Sequence, residues 1–160
     1  MLLYFFLLTI CLFIVVSIVA NITARQYAKE VSTRIKSMEL LYEAFLKRKL
    51  SADFDPNDIR YEPEVLAKDA MQQLNPSLDG LLNYINKAYL SKVRIRYHST
   101  YFPNILTLCE EAFSSRAKSP EKRLGVVDTE RFRMALYDAL WADLNHRITK
   151  REDENNKLEV

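Results

Sequence analysis

The chain has 160 residues, with 23 Lys and Arg against 21 Asp and Glu, and this length favours one domain with at most an appendage. It has only two Gly and no glycine-rich run, which argues against Rossmann and P-loop nucleotide folds. Two Cys and two His, far apart in sequence, argue against a zinc site or a disulfide framework, and a net charge of +2 gives no strong bias toward nucleic acid. No cofactor is predicted.

The chain begins with an uncharged apolar segment, and residues 1–22 are predicted to form a transmembrane helix. Residues 1–20 contain only Thr9 and Ser17 as polar interruptions. Twenty helical residues at about 1.5 Å each cover the roughly 30 Å hydrocarbon core of a bilayer. A signal peptide would have basic residues at its start and a shorter apolar run, whereas no Lys or Arg precedes Arg25. An uncleaved span is therefore favoured over a signal peptide and over a buried core helix.

Charge placement predicts the orientation of this span. Arg25, Lys29, Arg34 and Lys36 follow it closely, and the other flank has no basic residue. Because basic residues resist translocation, the large domain is predicted to lie in the cytoplasm. A periplasmic domain remains open.

Residues 23–50 are predicted to form a juxtamembrane amphipathic helix that continues the span. Apolar or small residues recur there at alternating steps of three and four, a spacing typical of a coiled coil. The seam consists of Ala28, Val31, Ile35, Met38, Tyr42 and Phe45. It would pair two copies in a homodimer, or it would pack on the rest of its own domain. Leu40, Leu41, Leu46 and Leu50 widen the stripe, which favours the second alternative.

The remainder is predicted to be a small compact helical domain, so the fold class is all-α. Its predicted parts are an acidic linker at residues 51–62, the helical domain at residues 63–148 and a disordered charged tail at residues 149–160. Prolines at positions 63, 76 and 103 each predict the first turn of a helix. The last helix is predicted to bury one main face (Phe132, Leu136, Leu140, Leu144 and Ile148) and a second face (Met134, Tyr137 and Trp141).

A basic stretch is the main candidate for binding an anionic partner. Its residues are Lys92, Arg94, Arg96 and His98, interleaved with apolar residues. We read it as the end of the preceding helix, on which these side chains would converge only if the backbone were extended. A solvated face is the favoured interpretation, followed by contact with anionic lipid, and nucleic acid is disfavoured.

No catalytic or metal site is predicted, and the protein is not expected to be an enzyme. Asp53, Asp55, Asn57 and Glu64 have the spacing of calcium ligands, but Asp58 stands where the loop needs glycine. Cys109 lies in an apolar run typical of an inert buried thiol. Nothing in the sequence connects it with His98 or His146.

The layout of the whole chain resembles a known family. It combines an uncharged N-terminal span, a helical Tyr-rich domain of about 140 residues and a charged tail. The opening Met1-Leu2-Leu3-Tyr4-Phe5-Phe6 and the close from Trp141 to Val160 add to the likeness. In these features the chain is similar to the superinfection exclusion proteins of temperate phages, which are inner-membrane proteins made by a prophage.

The resemblance implies a protein that stops incoming phage DNA from crossing the inner membrane. Its partners would be the lipid bilayer and either phage-derived injection proteins or the host channel that admits the DNA, and no functional residues carry over. The alternatives are an inner-membrane spanin-like lysis or envelope protein and a membrane-tethered binder of nucleic acid or anionic lipid.

Overall fold

The protein is helical, as its sequence predicts. The structure, a computed structural model, describes residues 2–50, 58–108, 110 and 129–158. The helices are α1 (Leu2–Lys49), a 3-10 helix (Ile59–Tyr61), α2 (Pro63–Leu90) and α3 (Thr129–Leu158), with a helical turn at residues 105–108. Most of the predicted acidic linker lies outside the described residues, as do Cys109 and three of the four calcium-like positions, Asp53, Asp55 and Asn57.

Helix α1 joins the apolar segment to the domain without a break. Its 48 residues give a length of about 72 Å, and the sequence has no Gly or Pro to interrupt it before Pro56. Residues 4–22 are all exposed, and Ala24 is the first buried side chain. Among the described residues, α1 is the one helix long and apolar enough to cross a membrane, with a mean hydropathy of 2.8 in its apolar window.

Helix α2 runs through the predicted boundary at Asn75-Pro76. The prediction of two helices was wrong because the apolar face continues on both sides of the proline, with Leu74 and Leu78 both fully buried. The Pro76 ring is exposed, so it costs one backbone hydrogen bond without disturbing the packed side. Burial of the continuous face outweighs that loss.

Helix α3 differs from its prediction in two ways. Its main face, from Phe132 to Ile148, is buried as predicted, but Met134 and Trp141 of the second face are exposed. Tyr137, the third residue of that face, is partly buried against the core. The helix also continues to Leu158, through residues predicted to be disordered, because no Gly or Pro ends it after Ile148.

The three helices pack with α2 antiparallel to α1 and α3 parallel to α1. Lys49 Nζ near the end of α1 lies 2.8 Å from the Asp69 carboxylate near the start of α2. Tyr27, lower on α1, packs against Tyr84 near the end of α2, with 6.4 Å between ring centroids. The Tyr42 hydroxyl donates a 2.8 Å hydrogen bond to Asp143 of α3. Helix α2 therefore returns the chain toward the apolar segment.

Candidate functional site

The chain after α2 forms a strand-like segment along α1. The prediction that helix continues through Lys92 to Tyr97 was wrong, since α2 ends at Leu90 and residues 93–99 are neither helix nor strand. Val93 lines the same cavity as Ala24, whereas the backbone N–H of Thr100 donates a hydrogen bond to Glu39. These points are about 20 Å apart along α1, and only a nearly extended backbone covers that distance in about seven residues.

The lower end of this segment is held by the cap of α2. The backbone N–H of Lys92 donates to the carbonyl of Tyr89 at 2.9 Å, and that of Val93 donates to the carbonyl of Ala88 at 3.1 Å. This is the hydrogen-bond pattern of a helix that ends in a left-handed residue. Lys92 is that residue, with φ of 54°, where glycine is usual. The cap turns the chain sharply at the level of Ala24.

The upper end is held by the buried carboxylate of Glu39. Its Oε2 accepts a hydrogen bond from the Tyr97 hydroxyl. Its Oε1 accepts from the Ser99 hydroxyl at 2.6 Å and from the backbone N–H groups of Thr100 and Tyr101. Glu39 thus serves as an anchor for the whole turn from residue 97 to residue 101.

The protonation of this anchor follows from the same contacts. Burial opposes ionisation of Glu39, but the hydrogen bonds from Ser99, Tyr97 and the two backbone N–H groups outweigh it and hold its pKa below the ordinary value of 4.5. Burial and the bond to the carboxylate raise the pKa of Tyr97 to about 12. At neutral pH Glu39 is therefore a charged acceptor and Tyr97 a neutral donor.

Between these two fixed ends, side chains alternate between core and solvent. Ile95 and Ser99 are buried, whereas Arg94, Arg96 and His98 are exposed. This alternation is the period of two expected of an extended backbone. It directs the basic side chains of the segment to one side, which a helix would not do.

Three of the four predicted basic residues line one open cavity together with the end of the apolar segment. The cavity has a volume of about 1130 Å³. We use "basic surface" for its four basic residues, Arg25, Lys92, Arg94 and Arg96. The same cavity is lined by Ser17, Ala20, Asn21, Thr23, Ala24, Tyr27, Ser91 and Val93. His98 is not among the lining residues, and Arg25 is an addition that sequence reasoning used only for orientation.

The basic surface is not neutralised by acidic neighbours in the part of the chain that the structure describes. None of the cavity's lining residues is acidic. The ion pairs found among the described residues involve other basic side chains, such as Arg133 with Asp79 and Arg147 with Asp143. The surface can therefore attract an anion.

Tyr27, at the edge of this surface, belongs to a layer of aromatic and basic side chains. The Lys87 ammonium lies 5.1 Å from the ring centroid of Tyr84 and 5.9 Å from that of Tyr27. The Arg34 guanidinium lies 4.6 Å from the Tyr84 centroid. Aromatic rings flanked by basic groups are typical of a membrane–water boundary.

The predicted seam on α1 lies in the core of its own chain. Val31, Ile35, Met38, Tyr42 and Phe45 are buried and Ala28 is partly buried, all against the same cluster of core residues. This is the second of the two alternatives that the sequence left open, and pairing through the seam would require the core to open. Leu46 and Leu50 widen the buried stripe as predicted, whereas Leu40 and Leu41 are exposed.

The remaining predicted chemistry is not assembled in the described part of the chain. His98 lies on the extended segment and His146 on α3, and both are exposed. No cluster of His, Cys, Asp or Glu suited to a metal ion occurs among the described residues.

A second link joins α1, α3 and Tyr101 of the loop after α2, at the end of the bundle away from the basic surface. Asp143 accepts hydrogen bonds from the Tyr42 hydroxyl and from Arg147 Nε, and the Arg147 guanidinium lies 5.6 Å from the Tyr101 ring centroid. Burial and the Asp143 carboxylate raise the pKa of Tyr42. Tyr101 is thereby held between α1 and α3.

Comparison with known proteins adds no relative: no protein-family model, no curated protein and no solved structure matches this chain.

Proposed function

We propose that this protein is a single-pass protein of the bacterial inner membrane that acts by binding and thereby keeps incoming phage DNA from crossing that membrane. The observation that carries the proposal is the continuity of α1. Its exposed apolar residues 4–22 lead directly into the buried stripe that begins at Ala24. A helix that is both anchor and core element holds the domain at a fixed height and rotation above the bilayer.

Such coupling suits a protein that must meet a partner at the membrane surface. Anchoring raises the local concentration of the domain at every site where DNA crosses the membrane, and it does so without any added contact between the domain and its partner. The partner is either a phage-derived injection protein or the host channel that admits the DNA. The domain is on the cytoplasmic side by the basic-residue bias after the span.

Helix α3 offers the best candidate surface for that partner. Met134 is 68% exposed and Trp141 is 43% exposed. They are seven residues apart and so lie on the same side of the helix, away from the buried stripe. Large exposed apolar side chains of this kind are enriched where proteins bind one another.

The test is expression from a plasmid, followed by challenge with several phages. We expect adsorption to be normal and uptake of labelled phage DNA to fail. Met134→Gln combined with Trp141→Gln should restore DNA uptake, because the partner would lose its apolar contacts. His98→Ala and His146→Ala should leave the block intact.

Tethering is tested with a chain that lacks residues 1–20. We expect it to lose exclusion even when its circular dichroism spectrum and melting match those of the intact domain. Full exclusion by this chain would contradict the role of the membrane anchor. Loss of exclusion in either histidine variant, with the protein folded, would favour an enzyme.

A further inference from the structure

We propose that the basic surface, Arg25 with Lys92, Arg94 and Arg96, binds the phosphate groups of anionic phospholipids in the leaflet from which α1 emerges. The proposal rests on the insertion of α1 in a membrane, which is part of the proposed function. It adds a ligand class and a site to that function.

The first argument is the position of the cavity relative to the bilayer. A helix that enters the bilayer near Tyr4 crosses about 30 Å of hydrocarbon in about twenty residues and leaves it near Thr23. Ser17, Ala20 and Asn21 belong to the last turns of that span, and they line the same cavity as Arg94 and Arg96. An occupant of this cavity therefore lies in the headgroup layer.

The second argument is the charge of the residues that line the cavity. Its basic side chains come from two separate parts of the chain, with Arg25 on α1 and the other three after α2. None of its lining residues is acidic. A lipid phosphate in this layer has the complementary charge and can accept several hydrogen bonds from Arg.

The third argument is that the extended segment, residues 93–99, is fixed at both ends. The α2 cap and the Glu39 anchor hold residues 93–99 extended, so Arg94 and Arg96 both remain on the exposed side. Preorganised side chains lose less entropy when they bind a ligand. Lys92 keeps a left-handed backbone that glycine would adopt more easily, and its side chain contributes a charge that glycine lacks.

Lipid is favoured over nucleic acid as the occupant. The cavity opens beside the last turns of the span, where a duplex or a single strand would have to displace headgroups. Anionic headgroups are already present there at high local concentration. Each Lys or Arg near an anionic surface strengthens binding about fivefold.

The test uses the full chain in phosphatidylcholine vesicles that contain spin-labelled phosphatidylglycerol or spin-labelled phosphatidylcholine. Insertion is first confirmed by resistance to alkaline carbonate. The motionally restricted fraction of each lipid then reports its relative association constant. We expect a severalfold preference for phosphatidylglycerol that falls as salt is added.

The variant Arg94→Gln/Arg96→Gln should bring this preference close to one. The matched control, Lys36→Gln/Arg48→Gln, removes the same charge from exposed positions of α1 farther along the helix and should keep the preference. Lys92→Gly should also reduce the preference. Because glycine adopts the left-handed backbone of this position more easily than lysine, strain in the α2 cap would not explain the loss.

Three results would overturn the proposal. They are equal preference for the two lipids in the unmodified chain, equal loss in the Arg94/Arg96 variant and its control, and Arg94/Arg96-dependent binding of a labelled oligonucleotide without any lipid preference. Each result would refute the lipid site. Insertion is scored separately by resistance to alkaline carbonate, so the membrane attachment in the proposed function would still stand.

Discussion

Glu39 shows how one residue defines the shape of the candidate site. Its side chain is only 8% exposed, and its two oxygens accept hydrogen bonds from Tyr97, Ser99 and two backbone N–H groups. A buried carboxylate is stable only when its charge is satisfied in this way. The loop from residue 97 to residue 101 therefore depends on a charge on α1.

Replacement of this anchor should destabilise the fold. Glu39→Gln replaces one of two accepting oxygens by an amide that only donates, so we expect a loss of about 2–3 kcal/mol in the free energy of unfolding. Chemical denaturation in mild detergent, followed by circular dichroism, measures it. Glu43→Gln, one turn along α1, is the control and should cost less than about 1 kcal/mol, because the ion pair of Glu43 with Lys47 is solvent-exposed.

The same comparison depends on pH. Because the folded-state pKa of Glu39 lies below 4.5, its stabilisation is fully present above the unfolded-state pKa and is lost as pH falls through the folded-state pKa. The difference in stability between the unmodified chain and Glu39→Gln should therefore narrow in acid. If the difference in the free energy of unfolding stayed constant from neutral pH to below the folded-state pKa of Glu39, the assigned role of the charge would be wrong.

At the scale of one element, α2 shows tertiary packing overriding a local signal. Asn75-Pro76 has the local chemistry of a helix start, yet Leu74 and Leu78 continue one buried face across it. The helix remains continuous because one hydrophobic core buries the residues before and after Pro76. Its length then brings Leu90 and the basic turn back to the level of Ala24.

Two substitutions in α2 should have opposite signs. Pro76→Ala restores a backbone donor at an exposed position and should stabilise the fold by about 1 kcal/mol or more. Leu78→Ala empties a fully buried position and should destabilise it by about 2–5 kcal/mol. Denaturation of both variants in detergent measures the two effects. Destabilisation by Pro76→Ala would contradict the cost assigned to this proline inside α2.

At the scale of the whole molecule, the side of the membrane decides which partners the domain can meet. Four basic residues follow the apolar segment within about 15 residues, and the described basic surface includes one of them, Arg25. From the basic-residue bias we predict a domain on the cytoplasmic side, where anionic lipid would add to the attraction.

Reporter fusions after Val160 test this topology. We expect a reporter that works only in the cytoplasm to be active and alkaline phosphatase, which needs export, to be silent. Insertion of both fusion proteins is checked by carbonate extraction. Active alkaline phosphatase would reverse the orientation and favour the spanin-like alternative.

Local pattern alone determined a large part of this protein. The uncharged run up to Ala24 predicted a helix long enough to span a bilayer, and the four-residue spacing from Phe132 to Ile148 predicted the buried face of α3. Such features depend on residues close in sequence, whose hydropathy and helical period are visible without a fold.

Tertiary structure decided what depends on residues far apart in sequence. The basic stretch after α2 converges only because Glu39, about 60 residues earlier, holds its far end extended. Arg25 joins Arg94 and Arg96 only because α2 is antiparallel to α1. The stripe of α1 is buried in its own chain because α2 and the loop before α3 cover it. Long-range contacts of this kind leave no periodic trace in the sequence, because each partner satisfies only its own local pattern.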